Sequence, residues 1–206
     1  MSAMPTASRP VPDTLLKLKG FYRLSVDQYH AMIRAGVFVE SEPVELLEGY
    51  LVDSPRPLSP RAAVARTRVH KALFRVEPAG WAFFPLGALT LSDSEPEPDF
   101  SIVRSNADSY RIRFPGPGEI GLVGEVSESS LAFDRSEKGR MYARAGIAVY
   151  WVVNVIDRQV EVYTDPDTTA EVPAYRTRTD YRPGQDVPVV LDSVAAATIP
   201  VSELVP

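Results

Sequence analysis

The sequence predicts a single α/β domain built on a mixed β-sheet. Its 206 residues are the length of one ordinary domain, and a composition of 45% apolar and 24% charged residues is near the average for folded soluble proteins. Short apolar runs rich in β-branched residues alternate along the chain with segments of helical periodicity. One run, Ile147 to Val153, is almost wholly apolar, which is typical of a central strand covered on both faces.

The elements of the N-terminal half are marked by caps, prolines and turns. Residues 1–20 contain three prolines and show little periodicity, so we predict a tail or docking arm there and a single domain over residues 21–206. The predicted elements are, in order, a helix that a capping box begins at Ser25 and Gly36 ends, two short strands turned at Glu48-Gly49 within 44–52, and a helix over 61–76.

The C-terminal half alternates strands with one further helix. The predicted strands cover 81–91, 100–103, 120–126, 147–153 and 159–163, with a polar loop over 105–118. The helix covers 134–145 and stops at Gly146. Pro166, Pro173, Pro183 and Pro188 predict irregular edge strands in the remainder of the chain.

Composition excludes several classes of protein and of site. The chain has no cysteine, which rules out disulfides, a thiol nucleophile and a zinc–thiolate cluster. Only His30 and His70 supply imidazoles, so a multi-histidine metal site is excluded. The longest apolar run is far too short to span a bilayer, and the first residues lack the features of a secretion signal. We therefore expect a cytoplasmic protein that has no membrane partner.

Acidic residues stand at the ends of two apolar strands. Asp99, within Glu97-Pro98-Asp99, precedes one strand, and Glu125 ends another. A carboxylate at the mouth of a buried strand is rigidly held and partly desolvated, as the binding of a hard divalent cation requires. The alternative is that both acids only meet solvent at the strand ends. From the strands alone, the second interpretation is the more common outcome.

The helix after Glu125 carries a lysine for which the sequence supports two roles, one structural and one chemical. Asp134, Lys138 and Tyr142 recur every fourth residue and therefore share one face. They can form a surface ion pair with a packed tyrosine, worth a few tenths of a kcal/mol. They can also direct the ammonium of Lys138 at the carboxylates, where it would orient a water or offset charge in a phosphoryl transition state.

Taken together, the order of these residues resembles the PD-(D/E)XK nuclease superfamily. The order is Pro-Asp, a strand ending in Glu-Val-Ser, and a helix with Asp-x-x-x-Lys-x-x-x-Tyr. More specifically, the chain resembles the bacterial Uma-two-like family of restriction endonucleases from about Tyr22 to Pro166. The segments that carry this resemblance are Ser-Val-Asp-Gln-Tyr-His-Ala-Met-Ile (25–33), Val-Glu-Leu-Leu-Glu-Gly (44–49), Glu-Pro-Glu-Pro-Asp (95–99), Glu-Lys-Gly-Arg-Met-Tyr-Ala-Arg-Ala-Gly (137–146) and Tyr-Trp-Val-Val-Asn (150–154).

The resemblance implies a restriction-endonuclease-like core, in which helices flank a central mixed β-sheet. It also implies a catalytic site in which Asp99, Glu125 and the carbonyl group of Val126 bind Mg²⁺ or Mn²⁺. The family's acid before the first core hairpin corresponds to Glu45.

Two positions depart from the pattern of the family or its superfamily. The superfamily lysine stands two residues after the second acid, where this chain has Ser127, and the resemblance assigns its role to Lys138 on the following helix. Ala62 stands where family members often carry a histidine. Neither departure removes the two acids or the lysine.

Two functions from different classes follow from these residues. Asp99, Glu125 and Lys138 favour a metal-dependent DNA endonuclease that hydrolyses phosphodiester bonds. Ala62 and an isoelectric point near 5.2 favour a catalytically weak or inactive nuclease-fold dimer that acts as a DNA-binding or regulatory module. Nicking of plasmid DNA in the presence of divalent metals distinguishes the two.

The expected partners are DNA and a second copy of the chain. The net charge of −5 leaves the attraction of DNA to local basic residues. The best candidates lie on the helix over 61–75 and are Arg61, Arg66, Arg68 and Lys71; the alternative is an ordinary solvated helix face. We expect a homodimer because the arm over 1–20 and the C-terminal segment can cover exposed sheet edges of a neighbour.

Overall fold

The structure, a computed structural model, describes residues 20–38, 43–53, 59–105 and 109–206. The chain divides into two compact units. The first combines residues 1–57 with 92–96, and the second combines 58–91 with 97–206. The arm predicted over residues 1–20 lies outside the described residues, apart from Gly20. The single domain predicted over 21–206 stays a prediction.

The first unit consists of a short helix and a β-hairpin. Helix α1 (Val26–Arg34) begins at the predicted capping box, in which Ser25 Oγ accepts a hydrogen bond from the backbone of Gln28 and the Gln28 side chain accepts one in return. Strands β1 (Val44–Leu47) and β2 (Tyr50–Asp53) pair antiparallel around the predicted turn. Both turn residues, Glu48 and Gly49, have positive φ, which glycine adopts without strain.

The second unit is built on a six-stranded mixed sheet with the order β3-β4-β5-β6-β7-β8. Its strands are β3 (Trp81–Pro85), β4 (Phe100–Arg104), β5 (Ile120–Ser127), β6 (Val149–Asn154), β7 (Gln159–Asp167) and β8 (Ala174–Tyr181). Only the pair β5–β6 is parallel, and the other neighbours are antiparallel. All six residues of β6 are buried, which confirms the prediction of a strand covered on both faces.

Helices flank this sheet on both faces, as predicted. Helix α2 (Pro60–Arg75) contributes Ala65, Val69 and Leu73 to a core that contains Phe100 and Trp151. The remaining wall of this core is formed by a separate hairpin and a short helix, β9 (Asp186–Leu191), β10 (Val194–Pro200) and α4 (Val201–Leu204).

Helix α3 packs on the opposite face of the sheet. It is composed of three consecutive segments, Leu131–Phe133, a π-helical turn Asp134–Lys138 and an α-helical end Gly139–Arg144. The ring of Tyr142 contacts that of Tyr150, which is the neighbour of Trp151 on β6 and so points to the other face.

Two sequence predictions differ from the structure in their extent. The strand predicted over 81–91 ends at Pro85, because Leu86 has a φ of 52° and leaves the extended conformation. The helix predicted from Asp134 begins at Leu131. The C-terminal region, predicted as irregular edge strands, contains β8, which is an edge strand of the main sheet, and the β9–β10 hairpin, whose pairing is irregular between Ala195 and Ala197. No helix within the described ranges is long and apolar enough to cross a membrane.

Candidate active site

The two acids singled out in the sequence lie side by side where β4 begins and β5 ends. Phe100 pairs with Gly124, so the preceding residue, Asp99, stands next to Glu125. The backbone N–H of Asp99 donates to Glu125 Oε2 (3.3 Å), and the N–H of Val126 donates to Asp99 Oδ2 (2.8 Å). Because each acid is bound to the backbone of the other strand, their relative position is fixed by the sheet itself.

Both acids are withdrawn from bulk solvent. The exposed fraction is 4% for Asp99 and 3% for Glu125. Buried carboxylates need compensating charge or hydrogen bonds, because the loss of hydration is costly. The neighbouring side chains supply both.

Lys138 brings a positive charge to this pair from α3. Its Nζ lies 3.5 Å from Glu125 Oε1, and its exposed fraction is 4%. The hydroxyl group of Tyr142, one helical turn further on, donates to the same oxygen (2.9 Å). Two residues of the predicted face, Lys138 and Tyr142, therefore contact Glu125, and the interpretation of an exposed surface ion pair is wrong.

The start of α3 is anchored by Asp134. Its Oδ2 accepts hydrogen bonds from Ser127 Oγ and Ser130 Oγ, each 2.6 Å long. Burial raises the pKa of Asp134, and these bonds and the charge of Lys138 partly offset the rise. Ser127, which occupies the position of the superfamily lysine, thus binds the helix that carries Lys138.

Helix α2 approaches the pair from the side of Asp99. Arg66 places a guanidinium nitrogen 3.5 Å from Asp99 Oδ1, and His70 Nε2 donates to the main-chain oxygen of Asp99 (2.8 Å). Neither His70 nor Tyr142 is among the site residues predicted from the sequence. The only signal in the sequence is spacing, since each follows a charged site residue by four positions.

The remaining predicted site residues are one acid of the first unit and three cations of α2. Glu45 is a buried residue of β1 in the first unit, where it pairs with Val52, and its role as a site acid stays a prediction. On α2, Arg61 and Lys71 are exposed, whereas Arg68 donates to the main-chain oxygen of Val205 (2.8 Å).

The two carboxylates of Asp99 and Glu125 suit a Mg²⁺ or Mn²⁺ ion that has few protein ligands. Within the part of the chain that the structure describes, no group of three or more histidine, aspartate or glutamate side chains could hold a metal ion. Mg²⁺ in enzymes of nucleic-acid chemistry is commonly bound through one or two carboxylates, water and substrate phosphates. Asp99 and Glu125, held together by the sheet, supply that number of carboxylates.

Comparison with known proteins agrees with this architecture. The model of the Uma2 family, described as "Putative restriction endonuclease", matches residues 26–199. A solved structure described as a putative nuclease belonging to DUF820 from Anabaena variabilis ATCC 29413 superposes with a TM-score of 0.59 and 17% sequence identity. The match covers 88% of this chain and 97% of that one, and at this identity it shows the fold. A search of curated proteins finds no match.

Proposed function

Because the chain belongs to the Uma2 family of restriction endonucleases, we propose that it is a metal-dependent DNA endonuclease that hydrolyses phosphodiester bonds. The observation that carries the proposal is the convergence of Asp99, Glu125 and Lys138 at one end of the sheet. Two fixed carboxylates beside an ammonium group are the components that metal-assisted phosphodiester hydrolysis needs.

The two acids would hold the metal ion. Asp99, Glu125 and the carbonyl group of Val126 are the proposed ligands, and Mg²⁺ or Mn²⁺ is the proposed ion. When bound, such an ion supplies positive charge that polarises the scissile phosphate and stabilises the leaving oxygen. The backbone bonds between the acids orient both carboxylates before any ion arrives.

Lys138 and Tyr142 have different parts in the proposed reaction. The Lys138 ammonium, buried beside Glu125, would orient the attacking water and offset the negative charge that develops on the phosphate. The Tyr142 hydroxyl holds the Glu125 carboxylate in one orientation. Arg66 supplies a second positive charge beside Asp99.

The proposed substrate and the proposed oligomeric state also follow from membership of the Uma2 family. DNA would contact α2 through Arg61, Arg66, Arg68 and Lys71, and the active form would be a homodimer. We place the protein in the cytoplasm, which fractionation of expressing cells tests.

A plasmid-nicking assay with Mg²⁺ or Mn²⁺ tests the role of the acids. We expect nicking by the wild type and none above the metal-free background for Asp99→Asn and Glu125→Gln, because each loses a charged ligand. Glu137→Gln is the control, since Glu137 is an exposed acid of α3 that pairs with Arg140. Activity of both acid variants equal to that of the wild type would refute the site.

The same assay tests Lys138 with a substitution that keeps its bulk. Lys138→Met should lower the cleavage rate by about 10²-fold or more, the size of effect typical of a positioned proton-transfer group. Arg140→Met changes a half-exposed cation on the same helix and should leave the rate unchanged. Melting curves of both variants show whether the fold is kept.

One result would favour the second candidate function. Ala62 is a buried residue of α2, where family members often carry a histidine, and Ser127 replaces the superfamily lysine. A wild-type chain that binds DNA but nicks it with neither Mg²⁺ nor Mn²⁺ would be a DNA-binding or regulatory module with a nuclease fold.

A further inference from the structure

The segment that presents Lys138 is the irregular turn in the middle of α3. Over Asp134–Lys138 the helix is π-helical, and the backbone N–H of Gly139 donates to the carbonyl oxygen of Asp134. A π turn contains one residue more than an α turn and so rotates the residues on its two sides relative to each other by about 100°. Such turns are costly and uncommon, so contacts around the turn must hold it.

One set of contacts fixes the beginning of the turn. The side chain of Asp134 is held by the hydroxyl groups of Ser127 and Ser130, and its carbonyl oxygen accepts a hydrogen bond from the hydroxyl group of Tyr150 (3.0 Å). These bonds attach residue 134 to β5 and β6. They do not by themselves determine how the following residues are turned.

A second contact is made by the next residue, Arg135. Arg135 donates from Nε to Glu161 Oε2 (2.9 Å) and from a terminal nitrogen to Glu161 Oε1 (2.5 Å). Two parallel bonds between a planar guanidinium and a carboxylate allow little rotation. Glu161 lies on β7, is fully buried, and has further hydrogen bonds from Asn154, Gln159 and Tyr163. A nitrogen of Arg178, on β8, also lies 3.3 Å from Glu161 Oε1.

The sheet places this contact in line with the candidate active site. Glu125 pairs with Val152, and Val152 pairs with Glu161, so both glutamates point to the face covered by α3. They are separated by one intervening strand, or roughly 10 Å. Each receives one cation from the π turn, Lys138 at Glu125 and Arg135 at Glu161.

We infer that Glu161, acting through Arg135, is a positioning residue that sets the rotation of α3 and thereby holds Lys138 beside Glu125. The inference rests on the proposed function for its catalytic consequence, but the placement of Lys138 can be measured separately. Glu161 touches neither substrate nor metal in this proposal. Its effect passes through the two helical residues between Arg135 and Lys138.

Chemical labelling measures the placement without any catalytic activity. Reductive methylation, followed by mass spectrometry of each lysine, should show slow reaction of Lys138, which is buried, and fast reaction of Lys71, which is exposed. In Glu161→Gln we expect Lys138 to react at least tenfold faster and Lys71 at an unchanged rate. Unchanged protection of Lys138 in a folded Glu161→Gln protein would overturn the inference.

Glu119→Gln is a matched control for the loss of an ion pair. Glu119 also forms a two-bond pair with an arginine, Arg113 (2.6 Å for each bond), in a loop away from α3. A general loosening of the second unit by a lost ion pair would expose Lys138 in both variants, and that result would overturn the inference. If Glu161→Gln does not fold, Arg135→Gln, in which the changed side chain is about one-third exposed, takes its place.

Kinetics measure the catalytic consequence. In the nicking assay, Glu161→Gln should lower kcat at least tenfold and leave KM for DNA within twofold, because the acids and α2 are unchanged. The double variant Arg135→Gln/Glu161→Gln should be no slower than the slower single variant, since both act through one contact. Additive losses would overturn the inference. An inactive wild type would refute the proposed function alone, and labelling would then decide the placement of Lys138.

Discussion

At the scale of the residue, the pKa values of two buried acids near α3 are shifted in opposite directions. Burial raises the pKa of Asp134, and hydrogen bonds from two serine hydroxyls only partly offset the rise. Burial also opposes ionisation of Glu161, but hydrogen bonds from Arg135 and three neutral side chains outweigh it and lower the pKa to about 2. The difference between the two pKa shifts is due to the guanidinium group of Arg135, which favours the charged carboxylate of Glu161 through both its charge and its two hydrogen bonds.

Glu161 should therefore stabilise the fold at neutral pH and lose that contribution in acid. Its pKa in the folded protein lies below the ordinary value of 4.5, so the contribution is complete above about pH 5.5 and disappears as the pH falls towards 2. The difference between the ordinary pKa of 4.5 and the lowered pKa of about 2 corresponds to roughly 3 kcal/mol in the free energy of unfolding. We expect urea denaturation to show Glu161→Gln below the wild type by this order at neutral pH, and the two proteins to converge in acid.

Glu119 provides the comparison for this pH dependence. Its pKa is also lowered to about 2, chiefly by the hydrogen bond from Arg113, but the pair is near the surface. Glu119→Gln should show a loss of the same direction and smaller size, because solvent screens an exposed pair. A stability gap for Glu161→Gln that stays constant or widens as the pH falls would contradict the assignment.

At the scale of the element, α2 has two faces with different tasks. Its buried stripe, which includes Ala65, Val69 and Leu73, packs on the sheet. Its basic residues are not equivalent, because Arg66 lies at Asp99 and Arg68 is bonded to the main chain. Of its other exposed cations, Arg75 pairs with Glu203, so Arg61 and Lys71 are the ones with which to test DNA binding by this helix.

Replacement of these cations should weaken DNA binding in a salt-dependent way. We expect Arg61→Ala and Lys71→Ala each to lower affinity similarly for different DNA sequences and to reduce the slope of log K against log salt by about 1. Fluorescence anisotropy without divalent metal measures both quantities. Arg176→Ala, on β8, removes another exposed cation and should leave the slope unchanged. Slopes for Arg61→Ala and Lys71→Ala equal to the slope for Arg176→Ala would exclude α2 from the proposed DNA interface.

At the scale of the whole molecule, the main sheet of the second unit ends in the outer strands β3 and β8. Five of the eight residues of β8 are exposed, and the other three are partly buried. An exposed edge strand is a site at which a second chain can add, and proteins normally cover or protect it. The proposed homodimer would supply such a cover.

Light scattering at micromolar concentration tests this assembly. We expect a mass twice the 22.7 kDa of the chain. Removal of residues 1–20 should shift the mass towards that of the monomer if the predicted arm covers the edge of a neighbour. A monomer mass for the full chain would refute the homodimer.

Local sequence signals predicted most of the elements correctly. Ser25 and Gln28 begin α1, Glu48-Gly49 turns the first hairpin, and the apolar run of β6 is buried throughout. Each signal acts within a few residues, through a cap, a turn or the burial of a strand. The regular pairing of β8 with β7 was not predicted, because an exposed, polar strand carries little pattern of its own and depends on its neighbour for hydrogen bonds.

The sequence by itself determined which residues carry the candidate chemistry, since Asp99 and Glu125 end apolar strands and Lys138 follows on a helix. Only the tertiary structure decided how they meet. The strand register brings the two acids together. The π turn, held by Glu161 through Arg135, directs Lys138 to Glu125. Helical spacing predicts a shared face but not its direction, because that direction depends on contacts between residues far apart in the chain.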